Sequence, residues 1–143
     1  MKNDIEVINL TDDILSNLKT ENFIAITIAE GGAMGDPGAI EIVDKELKLY
    51  RTHFGEIDDK LLRERIPFLN TLQIGFGNID GLDKDWAGLY TGYGNYLFVK
   101  SKYEKPILKY IDNNYSNTKL PKVVELYSHW YEALTKIIGK KNG

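Results

Sequence analysis

Apolar residues run almost unbroken through Phe23-Ile24-Ala25-Ile26-Thr27-Ile28, with Thr27 the sole polar position. A β-branched run of this kind predicts a central strand buried on both faces. Ahead of it, Thr11-Asp12-Asp13 predicts the start of a short helix. Thr11 can cap, the aspartates suit the positive end of the helix dipole, and Leu10 can staple against Leu15. Ala39-Ile40-Glu41-Ile42-Val43 and Leu47-Lys48-Leu49-Tyr50-Arg51 predict paired strands joined at Asp44-Lys45-Glu46. Asp58 to Arg65 predicts a short helix stopped before Pro67, and Leu69 to Phe76 another strand. Trp86-Ala87-Gly88-Leu89-Tyr90 and Asn95 to Lys100 predict a second pair, turning at Thr91-Gly92-Tyr93-Gly94.

Capping-box spacing in Ser101-Lys102-Tyr103-Glu104 predicts a helix to about Ile111, although Pro106 would fit a first helical position better. In the last segment Val123, Leu126, Tyr127, Trp130, Leu134, Ile137 and Ile138 share one helical face. Pro121 can take the first turn, and Gly139 is expected to close the helix. The order of elements is not the strict strand–helix alternation of a doubly wound fold. It predicts an α+β domain spanning 1–143: a largely antiparallel sheet of about five or six strands, helices packed on one face, and a long C-terminal amphipathic helix.

Glycine changes the picture in the middle of the chain. Eleven of the thirteen glycines lie between Gly31 and Gly94. Glycine reaches positive φ without steric cost, so its clusters mark turns or a ligand cradle. The first cluster, Ala29-Glu30-Gly31-Gly32-Ala33-Met34-Gly35-Asp36-Pro37-Gly38, is followed by Ala39-Ile40. It lacks the lysine and hydroxyl of a phosphate loop and leads into a strand, not a helix. The second begins Gly75-Phe76-Gly77-Asn78-Ile79-Asp80-Gly81, one residue too long for a dinucleotide fingerprint and again without a following helix. Both clusters therefore read as turn and loop punctuation of a sheet.

Charge adds an asymmetry to the net −3: residues 1–95 carry 17 acids and 9 bases, residues 96–143 carry 4 and 9. An acidic body argues against nucleic acid as a ligand and would steer a basic partner. With no cysteine, disulfides and thiolate chemistry are excluded. No signal-like or membrane-spanning run occurs, so a cytoplasmic protein without a membrane partner is expected. Asp80, Asp83 and Asp85 form an acidic loop, but an EF-hand begun at Asp80 would place Thr91 where an acid is needed, so no metal is expected. His53 and His129, the only histidines, stand in no nucleophile or metal pattern, and structural roles are favoured for both. No cofactor is implied.

Tyrosine beside glycine makes a good contact surface because it offers area at low entropic cost. Tyr90 and Tyr96 read as a cross-strand pair, which leaves Tyr93, at the turn, as the contact candidate. Asp36, Asp80, Asp83, Asp85 and Tyr93 form the expected partner-binding set.

The segments Ala29 to Gly38 and Trp86 to Val99 resemble a family of small bacterial proteins of unassigned function, which implies no activity or site residue. In size and acidity the chain is also similar to immunity proteins of bacterial toxin systems, an analogy of composition alone. The expectation is a non-catalytic protein-binding protein, with an immunity protein neutralising a toxin through an acidic surface as its sharpest form. The alternative is a small-molecule-binding domain or small enzyme whose glycine-rich loops line a pocket.

Overall fold

The computed structural model describes residues 6–29, 38–75, 78–92, 95–115 and 122–142, with side chains described for all of these except 75, 78, 91–92, 122–128 and 140–142. A six-stranded sheet has the order β1 (Val7–Asn9), β4 (Leu49–His53), β3 (Ala39–Asp44), β2 (Phe23–Ala29), β8 (Asn95–Lys100) and β7 (Trp86–Gly92). The long apolar run is indeed central: β2 pairs antiparallel with both β3 and β8. The sheet is mixed, however, because the three-residue edge strand β1 runs parallel to β4.

Both faces are covered, which corrects the expectation of helices on one face. Ile26, Ile28, Ile40, Ile42, Tyr50, Tyr96 and Phe98 point to one side. There they pack under α1 (Asp12–Asn17), α2 (Asp59–Arg65) and a separate hairpin of β5 (Gln73–Gly75) and β6 (Asn78–Asp80). Val43, Leu49, Leu97 and Val99 point the other way, against α3 (Ser101–Tyr115) and α4 (Lys122–Asn142). A bulge between Phe23 and Ala25 gives Phe23 to the first layer and Ile24 with Ala25 to the second. Leu10, Leu15 and Phe98, each at most 1% exposed, anchor the α1–α2 side.

Local signals behave as their chemistry requires. The Thr11 hydroxyl accepts from Ile14 N at 3.2 Å, and the Asp58 carboxylate accepts from Lys60 N at 3.1 Å, each capping its helix. Leu10 and Leu15 are buried in one cluster, as a staple needs.

Several boundaries differ. The strand expected over Leu69–Phe76 starts later, because Pro67–Asn70 forms a 3-10 turn and the described extended residues are Gln73–Gly75, with Phe76 outside the described residues. Gly81, at φ +86°, follows β6 at the open end of the β5–β6 hairpin, where an added Cβ would lie 2.0 Å from Thr71 O. The helix from Ser101 reaches Tyr115 with Pro106 inside it, beyond the expected end near Ile111. The last helix passes through Gly139 to Asn142, so Gly139 does not end it. Its apolar stripe is seen only over 129–139, where Trp130, Ala133, Leu134 and Ile138 are buried. The expected stripe positions before His129 lie outside the described side chains. No helix among the described residues is long and apolar enough to cross a membrane.

Candidate functional site

The registers of the sheet line up one row of side chains across all six strands: Asn9, Arg51, Glu41, Thr27, Leu97 and Leu89. Side chains in register share a face, and this is the face of α3 and α4. Leu97 and Leu89 lie within that apolar layer. The other four positions are polar. Thr27 Oγ1 donates to Glu41 Oε1 at 2.9 Å, and Arg51 Nε stands 3.7 Å from Glu41 Oε2. Arg51 is about half exposed, at 49%, while Glu41 is 24% exposed. The Arg51–Glu41 contact is long and reaches the guanidinium through Nε, so it uses little of an arginine's five-donor fork.

The next row on that face is His53, Ala39, Ala29, Asn95 and Gly92. Its small residues leave room above the polar row. A cleft of about 60 Å³ opens there, lined by Thr27, Ala29, Ala39, Glu41, Arg51, Asn95 and Trp130 among others. On the far side of Arg51 a shallower hollow of about 280 Å³ is lined by Val7, Asn9, Thr52 and His53. Arg51 belongs to both walls.

The strand ends answer where the glycine clusters lead. Ala29 pairs with Ala39 and with Asn95, so the first cluster and the β7–β8 turn connect neighbouring strands at one end of the sheet. Asp36 and Tyr93 themselves lie outside the described residues. The other three expected contact residues sit elsewhere. β7 is seven residues long, with Asp85 just before its start and Gly92 at its end. At about 3.3 Å per residue that separates the acidic turn from the glycine end by roughly 20 Å. Among the described residues, the acidic turn and the glycine end of β7 thus lie at opposite ends of that strand.

Asp80, Asp83 and Asp85 are all exposed, and the turn has a structural job. Asp83 Oδ1 accepts from Asp85 N at 3.1 Å and Asp83 O from Trp86 N at 2.9 Å. Ser101, which begins α3, donates its N–H to Asp85 O and its hydroxyl to Lys84 O, both at 2.8 Å. Asp83 also borders a groove of about 250 Å³ on the α1–α2 face with Arg65, Phe68, Trp86 and Lys100. Lys100 Nζ lies 4.8 Å from the centre of the Trp86 ring. Among the described residues no three acidic or histidine side chains converge to hold a metal ion.

The two histidines occupy separate surfaces. His53 faces Glu56 at 3.8 Å and stays 43% exposed. His129 stacks on Tyr115 with ring centres 3.9 Å apart and faces Glu132 at 3.7 Å. Glu132 Oε2 also accepts from the Tyr110 hydroxyl at 2.7 Å and the Tyr115 hydroxyl at 2.8 Å, tying α3 to α4. The hydrogen bond from Tyr110 is the main cause that holds the Glu132 carboxyl below its ordinary value. The same bond is the first cause that pushes the Tyr110 phenol up to about 12.

The Glu132 contribution is complete above the ordinary carboxyl range and is lost as pH falls through the lowered folded value. The Tyr110 contribution is complete below the ordinary phenol value of 10.0 and is lost as pH rises toward about 12. Tyr110→Phe is therefore expected to cost about 0.5–1 kcal/mol at neutral pH, the modest worth of a hydrogen bond to a part-exposed carboxylate. Urea titrations at several pH values should show the deficit narrowing toward low pH. A deficit constant from neutral to acid would rule out Glu132 as the responsible partner.

Sequence reasoning singled out neither Glu41 nor Arg51. The available signal was a polar residue inside each of three strands, at Thr27, Glu41 and Arg51, alone in β2 but joined by Asp44 in β3 and by Thr52 and His53 in β4. No protein-family model, curated protein or solved structure matches the chain.

Proposed function

We propose that the protein is a non-catalytic, cytoplasmic binding protein that engages a protein partner, in the manner of an immunity protein neutralising a bacterial toxin. The carrying observation is the register at Ala29: it brings both glycine-rich connections to adjacent strands at one end of the sheet. Loops on a rigid sheet are where recognition commonly resides. Asp36 and Tyr93 belong to those connections and are the proposed contacts. Asp80, Asp83 and Asp85, at the opposite end, would act through long-range attraction of a basic partner.

The test is calorimetric titration against the product of the gene beside it. The expected result is a complex weakened at least tenfold by Asp36→Lys or Tyr93→Ala. Asp80→Lys with Asp85→Lys should chiefly slow association and lessen its salt dependence. Absence of a complex, or an affinity indifferent to Asp36 and Tyr93, would remove the basis of the reading.

A second reading, small-molecule binding at the same end, is favoured by the cleft beside Glu41 and Arg51.

A further inference from the structure

Glu41 and Arg51 stand side by side on one sheet face, where both line an inner cleft and Arg51 also lines an outer hollow. The inner cleft, of about 60 Å³, has both Glu41 and Arg51 in its lining, with Thr27 and Trp130 among its walls. It is wide enough for a group of one or two heavy atoms, given that a water occupies about 30 Å³ of liquid. Its acid suits an ammonium, and its guanidinium, shared with the outer hollow, suits a carboxylate. The outer hollow, of about 280 Å³, has Arg51 as its base, with Asn9 and His53 beside it. An exposed guanidinium with amide and imidazole neighbours suits a carboxylate.

An anion alone would meet Glu41 as well as Arg51, and a cation alone would meet Arg51 as well as Glu41. A ligand bearing both charges close together satisfies each. The acid and base are 3.7 Å apart at their nearest atoms, a separation suited to an ammonium and a carboxylate on one carbon. Glu41 can accept such a donor, because a carboxylate has about four acceptor sites and the contacts described for it are those with Thr27 and Arg51.

We infer that the Thr27–Glu41–Arg51 row binds a zwitterionic α-amino acid at the mouth of the inner cleft, which both charged residues line, its ammonium on Glu41 and its carboxylate on Arg51. This rests on the small-molecule reading and gives it a ligand class. The hollow beyond Arg51, open toward Val7 and His53, is where the side chain would extend.

The experiment follows backbone amide resonances of the full chain during titration with a mixture of the twenty protein amino acids, then with each alone. Acetate and methylammonium at matched ionic strength are the controls. The expected result is saturable shifts at Thr27, Ala39, Glu41 and Arg51 with at least one amino acid and with neither control. Glu41→Gln and Arg51→Gln, each checked for an unchanged amide spectrum elsewhere, should weaken binding at least tenfold. Arg51→Lys, which keeps the charge and the fold but not the fork, should retain weak binding. Saturation by acetate or methylammonium alone would overturn the zwitterion while leaving small-molecule binding standing. The absence of any saturable shift, or binding within twofold of wild type in both glutamine variants, would overturn both.

Discussion

Phe98→Ala is expected to cost about 3–5 kcal/mol, the range for deleting a fully buried aromatic side chain. Phe98 has no exposed surface and lies on β8, opposite Ile26 of β2 and Gly88 of β7. Its ring is 5.7 Å from that of Phe68 and 6.3 Å from that of Tyr96, centre to centre. It therefore joins the sheet to the Pro67–Asn70 turn as well as to its own face. Collapse into the vacancy is restricted on the neighbouring strand. A Cβ placed at Gly88 would already stand 3.1 Å from Ile79 and Leu82 side-chain atoms, so that layer is close-packed. Against a typical total of 5–15 kcal/mol, such a loss leaves a marginal protein. Urea unfolding should show a lower midpoint with an unchanged slope. Leu108→Ala, at a position 41% exposed on α3, is the control and should fall within about 0.5 kcal/mol of wild type. A Phe98→Ala loss below about 1.5 kcal/mol would mean that this core tolerates repacking better than its burial implies.

That two-sided core was legible in part. The run Phe23–Ile28 announced a strand buried on both faces, and such a strand requires a covering layer on each. Helices on one face alone were inconsistent with it. What periodicity could not supply was which helices go where. The Pro67–Asn70 turn and the β5–β6 hairpin join α1 and α2 beneath the strands, and their segments are too short to carry a period. The hairpins β3–β4 and β7–β8 were readable because each has a brief connection with turn chemistry. β1 was not. Three residues cannot show alternation, and its partner β4 lies forty residues along the chain in a parallel pairing.

The candidate site was obscured for a related reason. Thr27, Glu41 and Arg51 meet only because of register, and a one-residue slip would send any of them to the other face. The connection between β2 and β3 is long and glycine-rich, so turn geometry could not fix that register from sequence. Asp83 was visible as an acid. Its use in forming its own turn depends on the position of Asp85 N, which composition does not carry. A polar residue in a central strand marks a candidate site because burial makes a polar group costly without a partner.

The same cost governs Asp44→Ala, expected to destabilise by about 2–4 kcal/mol through one buried hydroxyl and two part-buried N–H donors left without their acceptor. Asp44 is only 9% exposed at the end of β3. Its Oδ1 accepts from Glu46 N at 2.9 Å and Lys48 N at 3.1 Å, and its Oδ2 from the Tyr50 hydroxyl at 3.4 Å. Those bonds hold a turn in which Leu47 takes φ +68°, a conformation unfavourable for a branched side chain. Leu47 is also where the second helical layer attaches, because Tyr131 of α4 donates its hydroxyl to Leu47 O at 2.7 Å. Burial first, and then the Asp44 charge, raises the Tyr50 phenol, so Tyr50 stays a neutral donor across the neutral range. Asp44→Asn retains a carbonyl acceptor and should cost about half as much. In the Asp44→Ala background, Tyr50→Phe should cost less than it does in the wild type, since the buried hydroxyl has already lost its acceptor. Hydrogen exchange would show Lys48 N and the start of β4 opening together. Equal Tyr50→Phe penalties in the two backgrounds would mean that the 3.4 Å contact carries no coupling, and that the Asp44 effect belongs to the turn alone.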